Sequence, residues 1–179
     1  MHNAKGIIAK LKEYPKRTFL LFGIGVMFCL MALSCQDNPE TRDFRGTVAP
    51  DFRLADLDGN VFHLGAEQGK MILIIFTTTW CPVCTDFVPL YKKIQEVYGK
   101  EEKFVMVNID IEESSDRVRA FAKANNVSHR ILLDSEGKVR KDYNIMGVPS
   151  FILVDAEGKI LSADIERILD ILQITFGPV

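Results

Sequence analysis

The chain has 179 residues, of which 47% are hydrophobic and 26% charged, enough for one globular domain with an apolar core. Residues 35–179 carry 17 basic and 23 acidic side chains, a net charge of −6. Nucleic acid selects clustered lysine and arginine, so this acidic region excludes nucleic acid as a partner. Four cysteines and three histidines, without a second Cys-x-x-Cys, supply a four-ligand zinc site poorly. We therefore expect no metal and no other cofactor.

Residues 1–35 are typical of an export signal rather than of a folded domain. Residues 2–18 are basic and polar, and residues 19–33 contain no charged side chain. This apolar stretch is shorter than the roughly 20 residues that a spanning helix needs, and it matches the apolar region of a signal peptide. The alternatives are an uncleaved anchor helix, tilted or extended by its flanks, and a cytoplasmic protein with an apolar tail.

The sequence Ala32-Leu33-Ser34-Cys35 ends this stretch and resembles the lipobox of bacterial lipoproteins, in which cleavage leaves a lipid-modified cysteine at the N-terminus. Ala32 departs from the pattern, because a larger aliphatic residue is usual there. The signal and the anchor hypotheses both place the rest of the chain outside the cytoplasm, on the periplasmic side and tied to a membrane, since basic residues stay cytoplasmic. Residues 36–47 are then a tether, and residues 48–179 form the folded domain.

The folded region opens with a predicted β-hairpin and a predicted central strand. Asp58-Gly59 separates apolar residues at 52–57 from those at 61–64, which is the strongest short-range signal for a hairpin. Residues 71–76 form a continuous apolar run, as in strands that are buried on both faces. We expect this strand at the centre of a sheet.

The period of the apolar residues changes after the central strand. From Val83 to Tyr98 they recur every three or four residues, which predicts an amphipathic helix that ends at Gly99 and is kinked at Pro89. Residues 104–109 predict a second core strand.

The rest of the chain predicts further helices and strand pairs. The predicted segments are a helix from Ser114 or Ser115 through Ala124, a strand pair of residues 131–133 with the segment around Val139, a hairpin of residues 151–154 with 160–161, and a helix capped by Ser162. A hydrophobic central strand joined by helical crossovers implies an α/β fold with a central mixed β-sheet flanked by helices.

The candidate reactive centre is the cysteine pair in Trp80-Cys81-Pro82-Val83-Cys84. Two intervening residues in a turn that enters a helix bring two sulfurs to bonding distance. Free N–H groups at the helix start stabilise a thiolate, so we expect Cys81 to be the attacking nucleophile and the more shielded Cys84 to be the resolving cysteine. Pro82 is tolerated in the first helical turn. The structural alternative is a permanent disulfide or two inert thiols, but a Cys-x-x-Cys between a buried strand and a helix is typical of a redox motif.

A second motif, Gly147-Val148-Pro149, lies directly before an apolar strand. Together with the strand, the cysteine motif and the helix, it resembles the thioredoxin superfamily. The resemblance implies a thioredoxin-like fold in which Pro149 is cis and faces the cysteines, although an ordinary trans proline is the alternative that base rates favour. It also implies a substrate groove formed by Trp80, Pro82, Val148 and Pro149.

The exported N-terminus, the opening hairpin and the proline-first Cys81-Pro82-Val83-Cys84 resemble the TlpA/ResA group, and the similarity spans about Ala49 to Phe176. That group includes thiol–disulfide proteins that serve cytochrome c maturation. The resemblance implies an exported thiol–disulfide oxidoreductase that reduces protein thiol/disulfide clients. It also implies a membrane electron donor that recharges the cysteine pair.

Two acids of the superfamily are missing from this chain. Ile75 stands where thioredoxin has a buried Asp, and Phe87 stands where ResA-like members have a Glu. The proton acceptor for Cys84 is therefore unassigned. Asp86 is a candidate proton relay, and its structural alternative is a solvated helix residue.

Two further function classes are alternatives. Thr78-Thr79-Trp80-Cys81 matches the Thr-x-x-Cys part of a peroxiredoxin site, which suggests a thiol peroxidase, but Ile74 replaces the proline that opens that motif. The dithiol could also serve a non-catalytic haem or metal chaperone. Covalent haem is excluded, because no histidine follows Cys84.

Overall fold

The apolar run at residues 71–76 lies in the central strand of the main sheet, as predicted. The computed structural model describes residues 45–178. Its strands are β1 (Arg53–Ala55), β2 (Val61–His63), β3 (Met71–Thr77), β4 (Phe104–Ile111), β5 (Arg130–Asp134), β6 (Ser150–Val154) and β7 (Ile160–Ser162). Its helices are α1 (Pro82–Asp86), α2 (Val88–Tyr98), α3 (Ser115–Ala124), α4 (Lys138–Asp142) and α5 (Ile165–Phe176), with a 3-10 turn at Leu64–Glu67.

Strand β3 pairs with neighbours of both directions, which makes the sheet mixed. The strand order is β5-β4-β3-β6-β7. β3 runs parallel to β4, with Thr77 opposite Asp110 near the strand ends, and antiparallel to β6. β5 is parallel to β4, and β7 is antiparallel to β6. Because β3 and β4 are parallel, the residues that follow both strands meet at the same edge of the sheet.

The two faces of β3 contribute to separate apolar clusters, because successive side chains of a strand point to opposite faces. On one side, which we call the hairpin face, Ile72, Ile74 and Phe76 pack with β1, β2 and α4. On the other side, the α2 face, Leu73 and Ile75 pack with α2 and α5. This arrangement confirms the predicted mixed sheet with flanking helices.

Strands β1 and β2 form the predicted hairpin around Asp58-Gly59. Gly59 has a φ of 84°, in the left-handed region that favours glycine. Asp56 Oδ1 accepts hydrogen bonds from the backbone N–H groups of Asp58 at 3.0 Å and Asn60 at 2.9 Å. Its Oδ2 lies 2.8 Å from Nε of Arg130 in β5, so this side chain also ties the hairpin to the main sheet.

The segment around Val139 is helical, so the predicted strand pair across residues 134–137 is wrong. β5 pairs with β4 instead. The Asp134 carboxylate accepts hydrogen bonds from the backbone N–H groups of Val139 at 3.2 Å and Arg140 at 2.8 Å. These bonds satisfy donors at the start of α4 that have no partner within the helix. Gly137, with a φ of 63°, turns the chain into α4.

The helix after the cysteine motif is broken at Phe87 rather than kinked at Pro89. α1 ends at Asp86, and Pro89 lies in the first turn of α2. Proline is tolerated there because its missing N–H would have no partner in the helix. α2 ends at Tyr98 with Gly99 as its C-terminal cap, as predicted.

The last helix, α5, is capped by Asp164 and not by Ser162. Ser162 lies in β7, and its hydroxyl accepts a hydrogen bond from the N–H of Asp164 at 3.1 Å. The Asp164 carboxylate accepts from the N–H of Arg167 at 2.8 Å. Aspartate and serine cap helices about equally well, so the sequence pattern does not separate them.

The predicted export signal, Cys35 and the tether up to residue 44 lie outside the described residues. The last part of the predicted tether runs beside β7: the N–H of Gly46 donates to the carbonyl of Ile160, and the carbonyl of Thr47 accepts from the N–H of Ile160. Across residues 45–178, none of the helices has the length and apolar character to cross a membrane.

Candidate active site

Cys81 and Cys84 lie at the start of α1, shortly after β3 ends. Cys81 is the N-cap residue, and its Sγ accepts a hydrogen bond from the backbone N–H of Cys84 at 3.1 Å. The two cysteines are disulfide-bonded, with Cα atoms 5.2 Å apart. Pro82 lies in the first helical turn. Cys81 is 6% exposed and Cys84 is 2% exposed, so Cys84 is the more shielded of the two, as predicted.

A loop with Val148 and Pro149 lies against Cys81. The peptide bond between Val148 and Pro149 is cis, as the resemblance implies. Cys81 Sγ lies 3.7 Å from the carbonyl oxygen of Val148. β6 begins at the residue after Pro149 and pairs with β3. The register of the sheet therefore sets the position of this loop relative to the cysteines.

Large apolar side chains near Cys81 are exposed, although its sulfur is shielded. Trp80 is 65% exposed, Val83 is 52% exposed and Met146 is 84% exposed. Trp80 and Val83 flank Cys81 in the sequence, and Met146 precedes the Val148 loop. Exposed apolar groups beside a reactive residue are typical of an interaction site.

Glu113 holds the segment that leads to Cys81. Its carboxylate accepts hydrogen bonds from the backbone N–H of Thr79 at 2.5 Å and from the Thr79 hydroxyl at 2.6 Å. Nε of Arg117 lies 3.4 Å from the same carboxylate. Two charge-assisted hydrogen bonds to one residue restrict the backbone two positions before Cys81. Nothing in the sequence pattern singles out Glu113 for this contact.

Asp110 is a buried acid near the end of β4, on the α2 face. It is 3% exposed, and its Oδ1 has no hydrogen-bond partner within the described part of the chain. Burial and, to a smaller extent, the neighbouring Glu113 carboxylate raise the pKa of Asp110 to about 8. Most Asp110 side chains are therefore protonated at pH 7.

A small cavity lies against Cys84. Besides apolar side chains it is lined by Thr77, Thr78, Tyr91, Asn108 and His129. The side chains of Thr77 and Asn108 are hydrogen-bonded to each other at 2.9 Å. Thr78 Oγ1, Tyr91 Oη and His129 Nδ1 have no hydrogen-bond partner among residues 45–178. Burial lowers the pKa of His129 to about 4, so its ring is neutral at pH 7.

Asp86, the acid singled out from sequence, is exposed at the end of α1 and is not one of the residues that line this cavity. The sequence interpretation missed Asp110, Glu113 and His129. One feature of the sequence could have identified Asp110: it lies within an otherwise apolar strand pattern, which predicts a buried acid. The signal for His129 is its place directly before an apolar strand.

The site and the fold together define a class of protein. A dithiol pair at a helix start, a cis-proline loop against the first sulfur and a mixed sheet with flanking helices are the features of thioredoxin-like thiol–disulfide oxidoreductases. Residues 45–169 match the Redoxin family. The chain belongs to this family, and it is a thiol–disulfide oxidoreductase.

Relatives support this assignment. The chain is 37% identical over 116 residues to the thioredoxin-like protein YneN of Bacillus subtilis (strain 168), across 64% of this chain and 68% of that protein. It is 28% identical over 116 residues to the thiol-disulfide oxidoreductase ResA of Bacillus thuringiensis subsp. konkukian, across 65% of this chain and 66% of that protein. The matched region thus spans about two thirds of the length of these relatives.

A solved structure shows the same fold. The thioredoxin domain of a thiol-disulfide oxidoreductase from Bacteroides vulgatus superposes on this chain with a TM-score of 0.67. The superposition covers 74% of this chain and 97% of that domain at 24% sequence identity. At this identity the likeness concerns the fold alone.

Proposed function

We propose that this protein reduces disulfide bonds of other proteins outside the cytoplasm, with Cys81 as nucleophile and Cys84 as resolving cysteine. The observation that carries the proposal is the 3.7 Å distance from Cys81 Sγ to the backbone carbonyl of Val148. An extended client segment that pairs with the Val148 backbone places its own disulfide next to Cys81. Exposed Trp80 and Met146 offer apolar contacts to the same segment.

The exchange has two steps. The Cys81 thiolate attacks one sulfur of the client disulfide, which forms a mixed disulfide between enzyme and client. Cys84 then attacks Cys81 Sγ, which closes the enzyme disulfide and releases the client with two thiols. Pro82 and Pro149 complete the surface that the client contacts during both steps.

Variants of the two cysteines test these roles. Because the second step needs Cys84, Cys84→Ala is expected to accumulate mixed disulfides with client proteins, while Cys81→Ala abolishes exchange. Adducts are collected from cells that express each variant and are separated on non-reducing gels. A Cys84→Ala protein that yields no adducts would count against the proposal. Rapid hydrogen peroxide consumption by the reduced protein would favour the peroxidase alternative.

The reductive direction and a role in cytochrome c maturation rest on the resemblance to the TlpA/ResA group and on the match to ResA. A membrane-bound donor would return electrons to the Cys81–Cys84 disulfide after each cycle. Equilibration with glutathione buffers tests the direction. A reductase is expected to have a potential near that of thioredoxin, about −270 mV, whereas a potential near that of the oxidant DsbA, about −120 mV, would contradict it.

The location outside the cytoplasm rests on the basic residues 2–18, the uncharged residues 19–33 and Cys35. Lipidation of Cys35 predicts that a radiolabelled fatty acid is incorporated into the native chain and not into Cys35→Ser. The variant is then expected to leave the membrane fraction or to keep its signal uncleaved. Membrane attachment of an unlabelled native chain would favour the anchor-helix alternative.

A further inference from the structure

Cys84 shares its cavity with a set of polar groups that lack hydrogen-bond partners within residues 45–178. The cavity leaves about 10 Å³ for the centre of a water molecule, which is roughly what one buried water requires. Thr78 Oγ1, Tyr91 Oη and His129 Nδ1 are all buried there, without a partner in the described part of the chain. Most buried polar atoms are hydrogen-bonded, so three such atoms beside one cysteine call for an explanation.

His129 is the member of this set that carries a basic ring nitrogen. It is 7% exposed, and its ring lies edge-on to Tyr91, with ring centroids 6.0 Å apart. The aromatic contact and the start of β5 at the next residue hold the imidazole in place. Its Nδ1 has no hydrogen-bond partner among residues 45–178, and this nitrogen can accept a proton when Nε2 carries the ring hydrogen.

We propose that His129 accepts the proton of the Cys84 thiol when Cys84 resolves the mixed disulfide, directly or through one water in the shared cavity. This inference rests on the proposed function. It assigns a proton acceptor for Cys84, which the sequence left unassigned because Ile75 and Phe87 stand where related proteins have acids. His129 lines the cavity on the buried side of Cys84, where the resolving step needs a base.

The step balances as follows. The Cys84 thiol gives its proton to His129 Nδ1, and its sulfur attacks Cys81 Sγ. The Cys81–Cys84 bond forms and the bond from Cys81 to the client sulfur breaks, so the client sulfur leaves with the electron pair and takes a proton from water. The enzyme dithiol loses two electrons and the client disulfide gains them. His129 then returns its proton to solvent.

The groups that face His129 favour a neutral acceptor. Cys84 from α1 and Tyr91 from α2 are the titratable residues that line the cavity with it. β4 contributes uncharged Asn108, and Asp110 follows two residues later on the same face. Burial lowers the pKa of His129, which keeps Nδ1 free at pH 7. A thiolate at Cys84 raises that pKa in turn, because an opposite charge stabilises the protonated ring.

The test uses the reduced full-length chain and an aromatic disulfide that releases a coloured thiolate. Attack by Cys81 releases the coloured thiolate in a first phase, and resolution by Cys84 releases a second equivalent. The same reaction with a Cys81→Ala/Cys84→Ala chain measures the coloured thiolate that the other cysteines release, and this amount is subtracted. Replacing His129 by phenylalanine is expected to slow only the second phase at pH 7, by about a hundredfold. The rates should converge near pH 10, where the thiol ionises without a base.

Three variants sharpen the result. His129→Gln keeps a polar side chain that takes up no proton, so it should slow the second phase as much as His129→Phe does. It also provides the test if His129→Phe folds poorly. His63→Gln removes a histidine of the hairpin and should leave both phases unchanged. The proposal is overturned if the His129 variants leave the second phase unchanged or slow both phases equally at every pH. It is also overturned if Asp86→Asn, and not the His129 variants, slows only the second phase at pH 7. Absence of the first phase in the native protein would show that the proposed role of Cys81 has failed.

Discussion

The two faces of the central strands differ toward the end of the sheet that carries the cysteines. On the hairpin face, every side chain of β3 and β4 is apolar, and all but the half-buried Val105 are buried: Ile72, Ile74, Phe76, Val107, Ile109 and Ile111. On the α2 face, the buried side chains change along the same two strands from Leu73, Ile75 and Met106 to Thr77, Asn108 and Asp110. The polar end of this face adjoins the cavity beside Cys84.

The difference separates residues that stabilise the fold from residues that serve the site. Burial of a polar group costs free energy unless it is hydrogen-bonded, and Asp110 and His129 each have a side-chain atom without a partner in the described part of the chain. Within residues 45–178, the strands place no unpaired buried side-chain atom on the hairpin face. We infer that the apolar face offsets the polar groups that the redox site places beneath Cys81 and Cys84.

The largest expected effect comes from the hairpin face. Ile74 is fully buried in β3, so Ile74→Ala leaves a cavity and should lower the free energy of unfolding by about 2–5 kcal/mol. Exchange activity per folded molecule should not change, because Ile74 points away from the cysteines. Denaturant unfolding measures the first quantity, and turnover corrected for the folded fraction measures the second. A specific loss of activity would break the division between the two faces.

The next effect concerns the Glu113 contact to Thr79. Glu113→Ala removes two charge-assisted hydrogen bonds and should lower the free energy of unfolding by about 1–3 kcal/mol. Because Thr79 lies two residues before Cys81, the rate of Cys81 alkylation should also change. Glu112→Ala is the matched control, since Glu112 is the neighbouring acid and its side chain is exposed. Equal results for both variants would refute a specific role for Glu113.

Asp110→Asn tests whether the buried acid costs stability. The folded protein raises the pKa of Asp110 from 3.8 to about 8, so between these values the unfolded chain releases a proton that the folded protein keeps. The native free energy of unfolding therefore falls as pH rises through this window. We expect the variant to be more stable than the native protein by at least about 1 kcal/mol at pH 8, with little difference at pH 4.

Urea unfolding at several pH values measures this difference between Asp110→Asn and the native chain. Asp170→Asn is a suitable control, because Asp170 is exposed on α5. A stability difference that stays constant from pH 4 to pH 8 would show that Asp110 keeps the same charge in the folded and unfolded chains.

Strong local patterns were enough to predict most of the fold and the two cysteines. The continuous apolar run predicted β3, and the Cys-x-x-Cys at a helix start predicted a close pair of sulfurs. The segment around Val139 was predicted as a strand, whereas Asp134 accepts hydrogen bonds from Val139 and Arg140, five and six residues later, at the start of α4. The periodicity of the sequence does not contain these contacts. Pairs such as Thr79 with Glu113 depend on the parallel pairing of β3 and β4, so no local pattern predicts them.

The smallest effect is expected from the cavity itself. Tyr91→Phe removes a buried hydroxyl that has no partner among the described residues, so it should leave the free energy of unfolding unchanged or raise it by up to about 1 kcal/mol. Tyr98→Phe on the same helix is the matched control, because Tyr98 Oη donates to the carbonyl of Gly177 at 3.1 Å. That variant should lose about 0.5–1.5 kcal/mol. If Tyr91→Phe destabilises the protein as much as Tyr98→Phe, the Tyr91 hydroxyl has a hydrogen-bond partner. It then does not belong to a set of unpaired polar groups beside Cys84.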